Sequence, residues 1–280
     1  MSPQDAVPTV SLPGGDEMPA IGLGTWDLDD GTAQASIHAS IDAGCTHVDT
    51  AEGYENEAAV GDALAEHDRE DLFVTTKVLP GNLHYDDLIP ACEASLDRLG
   101  LEYLDLYLIH WPNPAVSLRE SLHAMATLHD RGLVRNVGVS NFSVYQLRNA
   151  QWISDVPIAC NQIEFHPWQK PLDLVEYCHE NDIAVTAAAP LGRTQVFEDP
   201  VIADLAERYD RTPAQVTLRY EIQKGIVPLP KSSTPDHVRA NVDVFDFELD
   251  DDEVERIDAI DTELKVYSQE WDDPVYGIPQ

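Results

Sequence analysis

The amino-acid sequence predicts an α/β protein with a (β/α)8 TIM-barrel fold, capped by an N-terminal β-hairpin. Its 280 residues suit a single closed barrel, which is larger than an average domain. Eight short apolar runs, rich in β-branched residues, alternate with helix-like segments, several of which end on Gly. No linker or low-complexity tract divides the chain, so we predict one domain over residues 1–280.

The predicted strands follow one another at intervals typical of βα units. They are PAIGLG (19–24), THVDT (46–50), LFVTTKV (72–78), YLDLYLIH (103–110), VRNVGVSN (134–141), IACNQIEF (158–165), IAVTAAAPL (183–191) and GIVPLPKS (225–232). Before the first strand, TVSLPGGDEMPAIG (9–22) carries a Pro-Gly-Gly turn between apolar segments, which predicts the hairpin. After the eighth, residues 234–245 and 249–261 have helical patterns, and a tail follows from about residue 263.

The charge balance of the chain argues against a nucleic-acid partner. There are 51 acidic residues against 17 basic ones, a formal net charge of −34. Such a surface repels nucleic acid, and no basic patch offsets the repulsion. A large negative charge is tolerated where salt screens the self-repulsion. We interpret the composition as adaptation to high salt; an ordinary acidic protein is the alternative.

The cysteines, the N-terminus and the hydropathy predict a soluble, cytoplasmic protein. The four cysteines contain no CxxC pair, which argues against a zinc site and against a disulfide framework. The first ten residues, MSPQDAVPTV, lack the basic flank and apolar core of a signal peptide. No apolar run approaches the ~20 residues of a membrane span. We therefore expect neither a metal nor a membrane partner.

Polar residues stand at the ends of the predicted strands, where a barrel of this kind places its catalytic face. Asp49, Lys77 and His110 close the second, third and fourth runs. Any one of them alone has an ordinary explanation, such as a helix cap for the Asp. Because three consecutive strand ends converge on one mouth, we expect these ionisable side chains to meet. Later runs end on further polar residues, which are Ser140, Asn141, Gln162, Glu164, Lys231 and Ser232.

This set suits proton donation to a carbonyl group, with Tyr54 as the acid. A free tyrosine has a pKa of about 10 and donates sluggishly at neutral pH. A nearby ammonium, here Lys77, favours the phenolate and lowers that pKa. Asp49 would hold the lysine, and His110 would orient the substrate oxygen. The glutamates around Tyr54, which are Glu52, Glu55 and Glu57, would oppose this effect, so we expect them to point into solvent.

The ordered motifs resemble those of the aldo-keto reductases over nearly the whole chain. They are GLGTW, DTAEGYENEAAVG, TTKV, DLYLIHWP, GVSNF, NQIEFHP, APLG and PLPKS. The short loop after His110 is most similar to the bacterial and archaeal branch that includes 2,5-diketogluconate reductases. The resemblance implies a catalytic tetrad of Asp49, Tyr54, Lys77 and His110. It also implies reduction of small aldehydes, dicarbonyls or keto-sugars to alcohols, by a monomeric enzyme.

The resemblance implies a nicotinamide cofactor bound without a Rossmann domain. NADPH is the expected cofactor and NADH the alternative, with Ser140, Asn141 and Gln162 at the carboxamide and residues 231–233 at the adenosine phosphate. The implied contacts are Gly24, Thr25, Trp26, Ser140, Asn141, Gln162, Ala188, Pro190, Leu191, Lys231, Ser232, Ser233, His237 and Asn241. GLG at 22–24 is not a dinucleotide fingerprint, because Asp27 stands where its third glycine would be.

Two departures from the family pattern concern the cofactor. Ala188 stands where the family places an aromatic residue that stacks on the nicotinamide. His237 and Ala240 stand where NADP-preferring members commonly have Arg and Glu, and Arg239 is displaced by two positions. Arginine offers a permanent charged fork to a phosphate, whereas histidine is mostly neutral at pH 7. NADPH remains favoured because Lys231 and Ser232 are present.

The expected substrate mouth is aromatic, and two other functions compete with carbonyl reduction. Its predicted residues are Trp26, Tyr54, His110 and Trp111, with Leu79 and a tail residue such as Trp271 as further candidates. A barrel aldolase would use Lys77 to form a Schiff base, which requires a lysine of depressed pKa. A cofactor-sensing or regulatory protein would explain the missing aromatic at Ala188, but it would leave the tetrad without a role.

Overall fold

The computed structural model describes residues 7–267, and it begins with a two-stranded hairpin. Strands β1 (Thr9–Ser11) and β2 (Glu17–Pro19) pair in antiparallel fashion. Leu12 and Met18 of this segment are buried in one cluster with barrel side chains such as Leu106. Asn136 Nδ2 on a barrel strand donates to Asp16 Oδ2 in the hairpin turn at 2.7 Å. The hairpin therefore plugs the floor of the barrel, as predicted.

Each of the eight predicted runs contains one strand of a parallel sheet. The strands are β3 (Leu23–Gly24), β4 (His47–Asp49), β5 (Phe73–Val78), β6 (Leu104–Ile109), β7 (Val134–Ser140), β8 (Ile158–Glu164), β9 (Ala184–Ala188) and β10 (Ile226–Pro228). They lie side by side in chain order. This order confirms the predicted (β/α)8 fold class.

The first and last barrel strands join at a seam made of backbone hydrogen bonds. Gly22 N donates to Pro228 O at 3.0 Å, and Gly24 N donates to Pro230 O at 3.1 Å. A Cβ at Gly24 would lie 2.9 Å from Leu229 O, so a side chain there would force the seam apart. The glycines of GLG thus allow two backbones to approach closely, which agrees with their exclusion as a phosphate-binding fingerprint.

Helices follow most strands and cover the outside of the sheet. Their bounds are α1 (Asp30–Asp42), α2 (Glu57–Leu64), α3 (Tyr85–Leu99), α4 (Leu118–Asp130), α5 (Val144–Ile153), α6 (Leu172–Glu180), α7 (Pro200–Tyr209), α8 (Pro213–Gln223), α9 (Pro235–Val242) and α10 (Asp251–Asp258). The last two correspond to the helical patterns predicted after the eighth strand. Ser143 and Thr212 begin α5 and α8 with reciprocal capping boxes. The main apolar core lies between the helices and the strands.

Across residues 7–267, every helix is too short or too polar to cross a lipid bilayer.

One buried acid is not explained by the fold. Glu221 on α8 is fully buried, and within residues 7–267 neither of its carboxylate oxygens has a hydrogen-bond partner. Burial raises the pKa of the Glu221 carboxyl well above its ordinary value of 4.5. The folded protein therefore holds this group protonated at pH values where the unfolded chain releases the proton. A rise in pH therefore lowers the free energy of unfolding through the ionisation of Glu221 in the unfolded chain.

Glu221→Gln should stabilise the fold, increasingly so as the pH rises. Below about pH 4.5 both states of the wild-type side chain are protonated, so the gain is small. Above that pH the gain grows by up to about 1.4 kcal/mol per pH unit, until the folded group ionises. Chemical denaturation of both proteins measures the difference in their free energies of unfolding. The useful range is about pH 5 to about pH 8, where the folded and unfolded states bind different numbers of protons.

The matched control is Glu255→Gln, which replaces the same carboxyl group at an exposed position on α10. Its stability should follow the pH profile of the wild type. A Glu221→Gln profile parallel to that of the wild type would contradict the assignment of a protonated buried acid.

Candidate active site

A buried ion pair lies at the mouth of the barrel. Lys77 Nζ, on β5, lies 2.6 Å from Asp49 Oδ1 at the end of β4. The lysine side chain is 0% exposed, so water cannot compete for its ammonium group. Nζ also donates to Thr50 O at 2.8 Å and to Tyr54 Oη at 3.3 Å. Its three protons are thus all engaged, and one of them is aimed at the predicted acid.

The second oxygen of Asp49 ties this pair to the opposite side of the mouth. Gln162 Nε2, on β8, donates to Asp49 Oδ2 at 2.9 Å and to Thr186 Oγ1 at 3.2 Å. Ser140 Oγ donates to the backbone oxygen of Gln162. Asn141 Nδ2 donates to Ser140 Oγ at 2.9 Å and to the backbone oxygen of His110 at 3.0 Å. The amides predicted to meet the nicotinamide therefore form one network with the tetrad.

Tyr54 and His110 complete the group. Tyr54 ends a short 3-10 helix (Glu52–Tyr54) that follows β4, and its ring meets the His110 ring edge-on with centroids 5.7 Å apart. His110 follows β6 and is buried. Burial, assisted by the charge of Lys77, holds the pKa of His110 well below its usual value. The imidazole is therefore neutral at pH 7 and acts as a hydrogen-bonding group rather than as a cation.

The expectation that the neighbouring glutamates all point into solvent is wrong for two of the three. Glu52 accepts hydrogen bonds from Leu79 N at 2.9 Å and from Asn82 Nδ2 at 2.8 Å. Glu57 is buried and forms an ion pair with Arg98 at 2.6 Å. Glu55 alone is exposed. The Glu52 carboxylate is therefore bound by one backbone and one side-chain amide, and the Glu57 carboxylate by a guanidinium.

A cleft of about 490 Å³ opens beside the network. Seven of the predicted cofactor contacts line it, which are Trp26, Pro190, Leu191, Lys231, Ser232, Ser233 and His237. The Trp26 ring lies near two cations, with Arg193 Cζ 5.0 Å and Lys231 Nζ 5.9 Å from its centroid. Lys231 also lies 3.7 Å from Asp27. The cleft thus concentrates positive charge in a protein with a net charge of −34.

The other predicted contacts lie around the cleft rather than in its wall. Gly24 belongs to the seam, and Thr25 is buried with its Oγ1 donating to the backbone of Asp49 at 3.1 Å. Ala188 ends β9, directly before the cleft residue Ala189. Asn241 is buried on α9 and lines a small separate pocket.

The structure also describes two further side chains that the sequence singled out. Arg239, the displaced arginine, pairs with Asp236 at 3.0 Å on its own helix. Trp111, a predicted residue of the substrate mouth, follows His110 and is half-buried. The tail candidate Trp271 lies outside the described residues.

Eight of the residues that line the cleft were not among the predicted contacts, and three of them bring new side chains to it. Arg193 and Thr194 lie in the loop after β9 with positive φ angles, and Tyr267 comes from the segment that follows α10. The sequence did contain a signal that could have indicated Arg193. It lies three residues after Pro190, in a chain with few basic residues. A tail residue was expected at the mouth, with Trp271 as the candidate, but no sequence pattern indicated Tyr267.

Comparison with known proteins gives a consistent result. The model of the Aldo/keto reductase family matches residues 20–262. Glyoxal reductase of Bacillus subtilis is 38% identical over 261 residues, covering 92% of this chain and 94% of the relative. The crystal structure of MGS-M4, an aldo-keto reductase from a Medee basin deep-sea metagenome library, has a TM-score of 0.90 at 36% identity, covering 92% of this chain and 97% of that one.

A second solved structure contains a bound cofactor. The Bombyx mori aldo-keto reductase AKR2E4, crystallised in complex with NADP, has a TM-score of 0.86 at 34% identity, covering 90% of this chain and 92% of that one. The family match, the relatives and the barrel fold all agree. This chain belongs to the aldo/keto reductase family.

Proposed function

We propose that this enzyme reduces small aldehydes, dicarbonyls or keto-sugars to alcohols, using NADPH in preference to NADH and Tyr54 as the general acid. The observation that carries the proposal is the buried contact of Lys77 with both Asp49 and Tyr54 at the mouth of the barrel. A phenol beside a fixed ammonium is a poised proton donor. The B. subtilis relative named glyoxal reductase supports a dicarbonyl substrate.

The residues of the cleft fit a dinucleotide. A dinucleotide carries phosphate groups, and Arg193, Lys231 and the hydroxyls of Ser232 and Ser233 offer a charged and hydrogen-bonding wall for them. The cleft adjoins the tetrad, so its inner end suits a nicotinamide ring. The NADP complex of the B. mori relative supports the same cofactor here. When bound, NADPH supplies a hydride to the carbonyl carbon of the substrate.

The protein's part in the reaction is to move one proton and to stabilise the charge that remains. As the carbonyl oxygen gains electron density, the Tyr54 hydroxyl transfers its proton to that oxygen, which gives the alcohol. The phenolate left on Tyr54 is stabilised by Lys77 Nζ at 3.3 Å. Neutral His110 donates a hydrogen bond that holds the substrate oxygen toward Tyr54. Asp49 keeps Lys77 in place and does not itself donate a proton.

The aldolase interpretation fits the geometry poorly. A Schiff-base lysine must present a free amine to its substrate. Lys77 Nζ is instead inaccessible to solvent and donates to three acceptors, Asp49, Thr50 and Tyr54. Releasing it would leave the Asp49 carboxylate buried without its counter-charge, which costs several kcal/mol. Lys77 is therefore better suited to tuning a neighbour than to covalent chemistry.

The preference for NADPH rests on the outer end of the cleft. Lys231, Ser232 and Ser233 stand where the family meets the adenosine phosphate, and His237 faces the same cleft. His237 is exposed, and the nearby Arg239 is engaged with Asp236. The phosphate that distinguishes NADPH would thus meet one lysine and an imidazole, with no guanidinium fork. We infer a modest preference for NADPH rather than an absolute one.

The setting we propose is the cytoplasm of a salt-adapted cell, where the enzyme works as a monomer of the branch that includes 2,5-diketogluconate reductases. The excess of 51 acidic over 17 basic residues supports the salt adaptation. Mutual repulsion among so many carboxylates opposes the compact state unless ions screen it. The same charge disfavours anionic carbonyl substrates at low salt.

Tyr54→Phe should lower the rate of aldehyde reduction by roughly 10²- to 10⁴-fold, which is the usual contribution of a general acid. NADPH affinity should change little, since the removed hydroxyl acts on the substrate oxygen. Loss of NADPH absorbance with a panel of small aldehydes and dicarbonyls measures the rate, and fluorescence titration measures the affinity. Tyr145→Phe on α5, at a ring that is 75% exposed, is the matched control. Equal rates in the Tyr54 variant and the wild type would refute the mechanism.

His237→Arg should raise the ratio of NADPH affinity to NADH affinity by roughly five- to tenfold, because a guanidinium adds a permanent charge and a fork of donors. Solvent screening at this exposed position keeps the gain modest. Dissociation constants for both cofactors, measured at one ionic strength, give the ratio. His123→Arg on α4, outside the cleft, controls for the added charge. An equal gain for NADH and NADPH would show that His237 does not meet the phosphate.

Thermal stability should rise as KCl is added up to molar concentrations, because added ions screen repulsion among the carboxylates. Calorimetry of the wild-type protein at increasing KCl measures the trend. Sucrose at matched osmolality separates charge screening from general solute exclusion. A melting temperature that falls or stays flat with KCl would contradict salt adaptation.

A further inference from the structure

The segment after α10 returns to the mouth of the barrel and is anchored there. Leu264 N donates to the backbone oxygen of Trp168 at 2.9 Å. Two residues further on, Val266 N donates to Glu164 Oε1 at 2.6 Å and Tyr267 N donates to Glu164 Oε2 at 2.9 Å. A single carboxylate thus binds two consecutive backbone amides, and it fixes where the Tyr267 side chain begins.

The anchoring carboxylate faces the catalytic network. Side chains two residues apart on a strand share a face, and Gln162, two residues before Glu164, contacts Asp49 inside the mouth. Glu164 therefore projects on the same face, one step nearer the opening. Across the sheet its register partner is Ala188. Ala188 likewise shares a face with Thr186, which accepts from Gln162 inside the barrel. Tyr267 is accordingly held beside a position that offers only a methyl group.

Tyr267 borders both the cleft and the tetrad. It is half-buried and lines the cleft together with Trp26 and Pro190. Burial raises the pKa of its phenol, the Tyr54 phenol adds to this, and the Lys77 ammonium opposes it. The ring is therefore close enough to the tetrad to feel its charges. A cofactor ring that occupied this cleft next to Tyr54 would therefore lie close to the Tyr267 side chain.

We propose that Tyr267 is a cofactor-positioning residue whose ring packs against the nicotinamide of bound NADPH, in the place that Ala188 leaves open. The inference rests on the proposed use of a nicotinamide cofactor. The end of β9 supplies no aromatic surface, and the chain brings one from the tail instead. The Glu164 carboxylate binds the backbone amides of Val266 and Tyr267, and so fixes where that aromatic side chain begins. An aromatic ring packed on another is worth a few- to about tenfold in affinity beyond its buried area.

The test compares two ligands, NADPH and 2′-phospho-ADP-ribose, which is the same molecule without the nicotinamide. In Tyr267→Ala, the affinity for NADPH should fall by roughly tenfold, while the affinity for 2′-phospho-ADP-ribose should stay at the wild-type value. Tyr267→Phe should bind both ligands as the wild type does, since the ring and not the hydroxyl makes the contact. Calorimetric titration gives all these constants without any turnover.

A rescue variant separates ring packing from damage to the tail. Tyr267→Ala combined with Ala188→Tyr places an aromatic ring at the same spot from the strand side, and it should recover most of the lost NADPH affinity. Equal loss of affinity for both ligands in Tyr267→Ala would overturn the proposal, since a nicotinamide contact affects only one of them. Unchanged NADPH affinity with a raised KM for the aldehyde would also overturn it. A wild-type protein that binds neither NADPH nor NADH would instead defeat the proposed function.

Discussion

The ion pair between Lys77 and Asp49 is the interaction on which the site depends. Removing a carboxylate and an ammonium from water costs several kcal/mol for each ion, and their attraction offsets this only when every remaining hydrogen-bonding group is satisfied. Here the lysine uses all three protons, and Gln162 binds the second oxygen of Asp49. The pair therefore joins β4, β5 and β8, and one proton of Lys77 contacts the Tyr54 hydroxyl. Loss of either charge would leave the other buried without its partner, which destabilises the fold.

The electrostatics of the protein differ between its surface and its cleft. The whole chain carries a net charge of −34, yet Lys231 and Arg193 flank Trp26 in one cleft. A long-range negative field slows the approach of an anionic cofactor, and salt shortens the range of that field to a few ångströms. The short-range contacts of the two cations survive such screening far better. High salt would thus favour cofactor capture in this protein, the reverse of its usual effect on binding between opposite charges.

Much of the fold and part of the site could be predicted, because these parts depend on local sequence. The strand ends carrying Asp49, Lys77 and His110 were predictable, since parallel strands bring their carboxyl ends to one mouth. The partner of Glu57 was not, because Arg98 lies on another helix and only packing brings it near.

The sequence suggested a tail residue at the mouth, but it did not indicate how the tail is anchored there. The anchoring depends on the contact of Glu164 with the amides of Val266 and Tyr267, and backbone amides carry no residue-specific signal. The roles assigned to the individual cofactor contacts remain predictions. They depend on how loops that are distant in the sequence meet in the fold.

The seam between β3 and β10 has a consequence for how the chain is made. The backbone amides of Gly22 and Gly24 donate hydrogen bonds to the backbone oxygens of Pro228 and Pro230. The ring of strands therefore closes through residues from nearly opposite ends of the sequence. During synthesis the first barrel strand must wait with an unpaired edge until almost the whole chain has left the ribosome. Contacts between such distant residues form late and slowly. Until the seam forms, both edges of the sheet lack their partners, and the many carboxylates of the chain disfavour pairing with other chains.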